Sequence, residues 1–418
     1  MAQTEAAEDK AITRDEMKAE VLADYKLANY SREISLMGRR EVLTGKAKFG
    51  ILGDGKEVAQ IALAKYWQPG DWRSGYYRDQ TMMMAAGLLT GEEFFAQLYA
   101  DADLEREPAS AGRMMNGHYS TRTLDAEGNW TNLAETRNSS ADISPTAGQM
   151  PRLLGLALAS KFYRNNPELK DHNTFSNGGN DVAFGTTGDA STSEGPFWEA
   201  MNAAGVLQVP LVMSVWDDGH GISVPKEFQT VKQSISEALS GFQRTEDAPG
   251  FEIIKTKGWD YPHLILTYEK AVKIAREEQV PVLVHVEEVT QPQGHSTSGS
   301  HERYKSEERL QWEKDFDPIK KMREWIEANG IASNEELEVL EKSAKKDARD
   351  AKNNAWKAFL NPMKDDKAAV IQLLTGLAGA SKNAAFINKV KEGLESEADS
   401  LRKEIIEAAR KGLRYARE

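Results

Sequence analysis

Residues 188–224 read GDASTSEGPFWEAMNAAGVLQVPLVMSVWDDGHGISV, a Gly-Asp turn followed by an apolar helical stretch, an apolar run and a second acidic, glycine-containing turn. Upstream, residues 181–187 (DVAFGTT) read as a short apolar strand that ends at Gly188. Residues 194–206 read as a helix, with Phe197, Ala200, Met201, Ala204 and Val206 near helical spacing. Ser191, Thr192 and Ser193 are residue types that cap helices. Residues 210–216 (PLVMSVW) are too short and too uniformly apolar to be anything but a buried strand. Strand, helix and strand in that order make a right-handed crossover in a parallel sheet. The chain is therefore expected to be α/β, a parallel sheet flanked by helices. Ligands of such sheets sit outside the carboxyl ends of the strands, where both acidic turns fall. Asp189 and Asp218 are expected side by side there, and two hard oxygen ligands near a helix N-terminus suit Mg²⁺ bridged to phosphate oxygens.

The stretch resembles the thiamine diphosphate motif, in which a Gly-Asp-Gly turn is followed, a helix and a strand later, by a pair of asparagines. The longer match is to the alpha subunits of 2-oxoacid dehydrogenases. Its Ser/Asn-Glu/Gln-Gly after the first turn is Ser193, Glu194 and Gly195 here, and its Ile-Ser after the second is Ile222 and Ser223. The resemblance implies a thiamine diphosphate-binding fold in which Asp189 and Asp218 give side-chain oxygens to the metal and His220 its backbone carbonyl. Gly188, Ala190 and Ser191 would lie along the cofactor, and Ile222 would keep it bent between its two rings.

Three positions depart from the pattern. Ala190 replaces the third glycine, which is tolerable where the backbone needs no positive φ. Trp216 stands where some relatives carry an arginine for the diphosphate. Asp218 replaces the metal-binding asparagine. With Mg²⁺, a diphosphate and two carboxylates the site would sum to roughly −3, one unit worse than with asparagine. A nearby cation must offset it, and an asparagine restored at 218 is expected to tighten metal binding.

Other segments match independently. Residues 73–101 resemble the segment that presents a Tyr-Arg pair to the diphosphate, here Tyr77 and Arg78, and an arginine fork pairs bidentately with phosphate oxygens. Ser144, Pro145 and Gln149 match a Ser-Pro-x-x-x-Gln-x-Pro loop that touches the aminopyrimidine end of the cofactor and in some relatives binds K⁺. Pro151 suits a first helical turn, with Leu153, Leu154, Leu156 and Leu158 beginning an apolar helix. Residues 251–257 and 280–286 read as two more strands around a helix over 261–278. Then follow His295, Ser296, Thr297 and Ser298, next Tyr304 and Lys305, and finally Asp317, Pro318 and Ile319, matching His-Ser-x-Ser, Tyr-Arg and Asp-Pro-Ile. Lys305 keeps the charge of the arginine and loses its fork. His295, in a polar Ser/Thr loop, is the catalytic candidate, because an imidazole can stabilise a developing alkoxide and shuttle protons. His301 in the same loop is the second candidate, His118 matches a substrate-side histidine, and His285 reads as core.

Composition bounds the rest. A net charge of −12 over 418 residues argues against nucleic acid and anionic membrane as partners, and no stretch reaches the ~18 apolar residues of a spanning helix. With no cysteine, disulfides, thiolate metal sites and cysteine nucleophiles are excluded. The N-terminus has neither an apolar core nor an arginine-rich character, so a cytoplasmic location is expected. Three zones follow: 1–48, a disordered tip and an amphipathic helical arm with Met17, Val21, Leu22, Tyr25 and Tyr30 near one face; 49–330, the cofactor-binding α/β domain; and 331–418, a charged helical extension that reads as a connector to a missing beta half. The final LESEADSLRKEIIEAARKGLRYARE reads as one long charged helix.

The family assembles its catalytic centre from two chains in an alpha–beta heterotetramer, the glutamate that activates the cofactor coming from the beta part. The expected function is oxidative decarboxylation of a 2-oxoacid, branched-chain favoured, with acyl transfer to the lipoyl arm of an acyltransferase core. This chain would be the alpha part, inactive without a beta subunit or beta half. Pyruvate or acetoin dehydrogenase alpha components are the alternatives within that class. A transketolase-like enzyme would carry both halves in one chain. Asp218, Trp216 and Ala190 are what would mark a non-catalytic cofactor-binding or scaffold member.

Overall fold

Short β-branched and apolar runs alternate with helical stretches along most of the chain, and they fold into one doubly covered parallel sheet. A computed structural model describes residues 13–417, so the tip expected at the N-terminus lies outside the described residues. The strands are β1 (Trp72–Ser74), β2 (Asn138–Ser139), β3 (Ala183–Gly188), β4 (Leu211–Trp216), β5 (His220–Gly221), β6 (Val224–Pro225), β7 (Glu252–Lys257) and β8 (Val282–Glu287). The helices are α1 (Arg14–Leu43), α2 (Glu57–Ala64), α3 (Gln80–Ala85), α4 (Gly91–Leu98), α5 (Met150–Asn165), α6 (Gly195–Leu207), α7 (Ile235–Ala238), α8 (Tyr261–Lys273), α9 (Glu307–Asp315), α10 (Pro318–Ala328), α11 (Asn334–Ala380), α12 (Ala384–Ser396) and α13 (Arg402–Arg417). Six strands pair in parallel in the order β2-β1-β3-β4-β8-β7, while β5 and β6 make a separate antiparallel hairpin.

Because side chains alternate along a strand, β4 divides its residues between two cores. Val212 and Trp216 join a core with Phe184, Val282, Val284 and Val286 under α1, α2, α8 and α10; Leu211, Met213 and Val215 join the core under α5 and α6. Burying both faces explains why these strands read as continuous apolar runs. The chain divides into two compact units, Met1–Arg349 and Asp350–Glu418, with α11 running through the division. In the second unit, Leu360, Met363, Leu374, Ile387, Leu394 and Ile405 form a helical core of their own.

The arm packs on its own domain: Val21, Tyr25 and Ala28 of α1 are buried in the first core, and Thr13 caps the helix through a reciprocal bond pair with Glu16. Met17 stays exposed. The serines and threonine ahead of α6 do not cap it; Asp189–Ser193 forms a 3₁₀ turn first, and Glu194 stands at the N-cap without a side-chain bond. The helix expected to run to Glu278 ends as α8 at Lys273 and closes in a π turn over Ile274–Glu278, stopped by Gln279 at φ 58°. The final charged stretch is two helices rather than one. Ser396 ends α12, and α13 restarts where the Glu404 carboxylate accepts the Leu401 N–H.

Candidate cofactor and metal site

The register of β3 on β4 pairs Gly188 with Trp216, so Asp189, the first residue beyond β3, and Asp218, the second beyond β4, lie at the same sheet edge. There a cavity of about 520 Å³ is lined by Tyr76, Tyr77 and Arg78, by Gly188 to Ser191, and by Asp218, His220, Ile222 and His295. These include every cofactor and metal residue expected from sequence except Ser144. Ser144 is exposed, its hydroxyl bonded at 2.9 Å to Nε2 of the buried His118, whose ring lies 6.3 Å from Tyr77. The Gln149 amide donates to the Thr186 carbonyl at 3.0 Å.

The acid pair is electrostatically incomplete by itself. Burial, then the neighbouring Asp218 and Asp217, push the Asp189 carboxyl well above its ordinary range, and its Oδ2 is buried without a partner among the described residues. Asp218 behaves oppositely. Burial raises its carboxyl, but Lys56, Lys305, Arg78 and the His220 N–H outweigh that and hold it low. An orphaned carboxylate oxygen beside a second carboxylate fits a divalent cation. Among the described residues no three acidic or histidine side chains converge to hold one, so backbone and ligand oxygens must complete its shell.

The cation demanded by Asp218 was not legible in sequence. It is Lys56, 1% exposed and 3.4 Å from Asp218 Oδ2, and bonded to Gln291 Oε1 at 2.5 Å. Gly55 places it. At φ +89° and with the Thr290 carbonyl oxygen 2.1 Å from where a Cβ would stand, this position admits no side chain. Gly55→Ala is expected to cost about 3 kcal/mol, measured by denaturant unfolding, because both the conformation and the space are denied. Lys305 instead pairs with the buried Glu313 at 2.7 Å.

Arg78 is clamped. It donates to the Leu52 carbonyl at 2.7 Å, and to the His295 carbonyl at 2.7 Å and ring Nδ1 at 3.0 Å. Because a guanidinium only donates, Nδ1 must accept and the ring proton of neutral His295 belongs on Nε2. Burial, then Arg78, push the imidazole down to about 4. The loop carrying it is pinned by a reciprocal pair, Thr297 N–H to the Gly50 carbonyl and Gly50 N–H to Thr297 Oγ1, both at 2.9 Å. Around Tyr77 and Arg78 a buried triad holds the backbone: Arg73 binds Asp79 at 2.6 Å and Asp142 at 2.9 Å. Tyr76, next to the expected pair, lines the cavity with a buried hydroxyl that has no partner among the described residues.

The departures resolve locally. Ala190 has no positive φ, and its Cβ lies 2.8 Å from where one would stand on Gly221, so glycine is needed across the hairpin instead. Trp216 is fully buried in the first core, outside the cavity lining. Ile222, 60% exposed, holds φ +60°, rare for a β-branched residue. His285 is core as read, bridging Ser236 at 2.8 Å and Asp217 at 3.1 Å. His301 does not line the cavity, and Asp317 serves structure: it caps α10 and binds Arg32 of α1 at 2.6 Å.

Known proteins resemble the chain along most of its length. The chain is 27% identical over 293 residues to the 2-oxoisovalerate dehydrogenase subunit alpha of Bacillus subtilis, covering 70% of this chain and 77% of that one. It is 27% identical over 323 residues to the mitochondrial 2-oxoisovalerate dehydrogenase subunit alpha 1 of Arabidopsis thaliana, covering 76% of this chain but only 59% of the relative. The mitochondrial pyruvate dehydrogenase E1 component subunit alpha-1 of Oryza sativa is 24% identical over 350 residues, covering 81% and 77%. Residues 25–363 match the family model described as dehydrogenase E1 component, and with the acid pair, Arg78 and His295 gathered inside that span, the chain belongs to this family.

Proposed function

We propose that the chain is the thiamine diphosphate- and Mg²⁺-binding alpha part of a two-part enzyme that oxidatively decarboxylates a 2-oxoacid and passes the acyl group to a lipoyl arm. The observation that carries this reading is the convergence of Asp189 and Asp218 at the carboxyl ends of adjacent parallel strands, beside Arg78 and His295. Asp189, Asp218 and the His220 carbonyl would hold the metal, Arg78 and the Tyr76 hydroxyl the diphosphate, with Gly188, Ala190 and Ser191 along it and Tyr77 at its side. K⁺ at the Ser144–Gln149 loop belongs to the same reading. When bound, thiamine diphosphate supplies a carbon nucleophile and an electron sink.

The chain's own groups then have defined tasks. Arg78 orients the His295 ring, and His295 presents Nε2–H as a donor to the substrate's 2-oxo oxygen as negative charge develops there. Neutral at pH 7, the ring donates this hydrogen bond from Nε2 and keeps its proton. Ile222, Val224, Phe228 and Val231 are exposed apolar side chains on and after the β5–β6 hairpin, and they suit cover by a beta subunit or beta half. A branched-chain 2-oxoacid is the favoured substrate, supported by the Bacillus and Arabidopsis relatives; pyruvate is the second reading, supported by the rice relative. A cytoplasmic setting is part of the proposal.

Calorimetry of thiamine diphosphate with and without Mg²⁺ tests it. Metal-dependent binding is expected, and its absence even with a beta component present would sink the reading. Ile222→Gly gives a sharper check. Relief of the left-handed strain should leave the cofactor-free chain as stable as before or stabilise it by about 1 kcal/mol, while affinity for the metal-loaded cofactor falls about tenfold. Equal affinity would show that Ile222 supports nothing.

A further inference from the structure

Lys56 and Asp218 are matched in a way that neighbouring charges are not. The ammonium is 1% exposed, the Asp218 side chain 15%, and their atoms lie 3.4 Å apart. Lys56 also donates to Gln291 Oε1 at 2.5 Å and to the Thr290 carbonyl at 3.4 Å, and it does not line the cavity that Asp218 lines. Of the other nearby cations, Lys305 is paired with Glu313, while Arg78, held by the carbonyls of Leu52 and His295, faces the cavity where the diphosphate is placed and makes no ion pair with Asp218. Mg²⁺, a diphosphate, Asp189 and an asparagine would sum to roughly −2; replacing the asparagine by an Asp–Lys pair leaves the same sum.

We propose that Lys56 is a positioning residue for the metal and diphosphate, and that Lys56 and Asp218 act as one neutral unit in which the carboxylate faces the ligands and the ammonium stands behind it. The assignment rests on the thiamine reading for the identity of the ligands. It reverses the expectation drawn from sequence for an asparagine at 218, because that change alone strands a buried ammonium.

The test is a double-mutant cycle, Lys56→Gln, Asp218→Asn and both together, on the full chain. Without metal, each single variant is expected to melt roughly 5 °C lower or to fail to fold, and the double variant to return to within about 2 °C of the parent. A double variant that loses the sum of the two, or does not fold, overturns the proposal. Calorimetry then separates positioning from packing. Lys56→Gln should bind Mg²⁺ alone about tenfold more tightly and inorganic pyrophosphate in excess Mg²⁺ about tenfold more weakly, whereas Asp218→Asn should weaken Mg²⁺. If Lys56→Gln shifts both ligands in the same direction, Lys56 is only structural and the proposal falls. A parent chain that binds Mg²⁺ and pyrophosphate but not thiamine diphosphate removes the thiamine reading and leaves the pair standing.

Discussion

Asp189→Ala is expected to abolish Mg²⁺-dependent binding of thiamine diphosphate and, in the same protein, to raise the melting temperature of the cofactor-free chain. Asp189 is 5% exposed, its Oδ2 has no partner among the described residues, and Asp217 and Asp218 add repulsion to the cost of burial. Removing a buried carboxyl in that state should stabilise the chain by about 2 kcal/mol. Loss of one of two carboxylate ligands should weaken the metal-dependent complex by about a thousandfold, since hard cations draw their affinity from ligand charge and number. Calorimetry and thermal melting on one preparation decide the matter. A variant that melts lower would show Asp189 to be a structural group with a partner.

His295→Gln is expected to lower kcat of the assembled enzyme by about a hundredfold or more while leaving KM for the 2-oxoacid within about threefold, the pattern of a group that acts in the transition state. The same residue sets a pH signature in the cofactor-free chain. Its folded value, about 4, lies below the ordinary 6.5, so between these values the unfolded chain binds the proton that the folded chain refuses. Stability contributed by neutral His295 is therefore complete above pH 6.5 and is lost progressively as pH falls toward 4, about 2 kcal/mol in all after allowing for the ring's partial exposure. In His295→Gln that portion of the stability–pH curve should flatten. An unchanged curve would mean that the imidazole titrates in the ordinary range and is not desolvated against Arg78.

The parts of the fold legible in sequence were those with a short-range cause. β3, α6 and β4 followed from apolar runs and their period, and the parallel sheet from their order. The acid pair was legible because both aspartates follow strand ends, and His295 because its loop resembles a family motif; where the ring sits is set by distant Arg78 and by the Thr297–Gly50 pair. What escaped reading was set by contacts between distant segments. Lys56 lies far along the chain from Asp218, and nothing around GDGKEV distinguishes a buried ammonium from a surface one; only the close approach of Gly55 to Thr290 carries it inside. The Arg73–Asp79–Asp142 triad likewise joins two segments that no periodicity connects. The break between α12 and α13 was hidden for the opposite reason. A Lys/Glu/Ala-rich stretch satisfies helical periodicity on both sides, and the interruption is held by side-chain bonds from outside that period, Lys367 to the Glu395 and Glu397 carbonyls and the Leu401 N–H to Glu404.

The pairing of Gly188 with Trp216 sends the two acidic turns off from one level of the sheet, so the separation of Asp189 and Asp218 is set first by the main chain. Such a scaffold can exchange an amide for a carboxylate at 218, provided Lys56 is exchanged with it, or a glycine for an alanine at 190, while the spacing of the two turns stays put. Position is inherited from the sheet and reactivity is written on top of it, which gives this site room to diverge in charge and selectivity without renegotiating its fold.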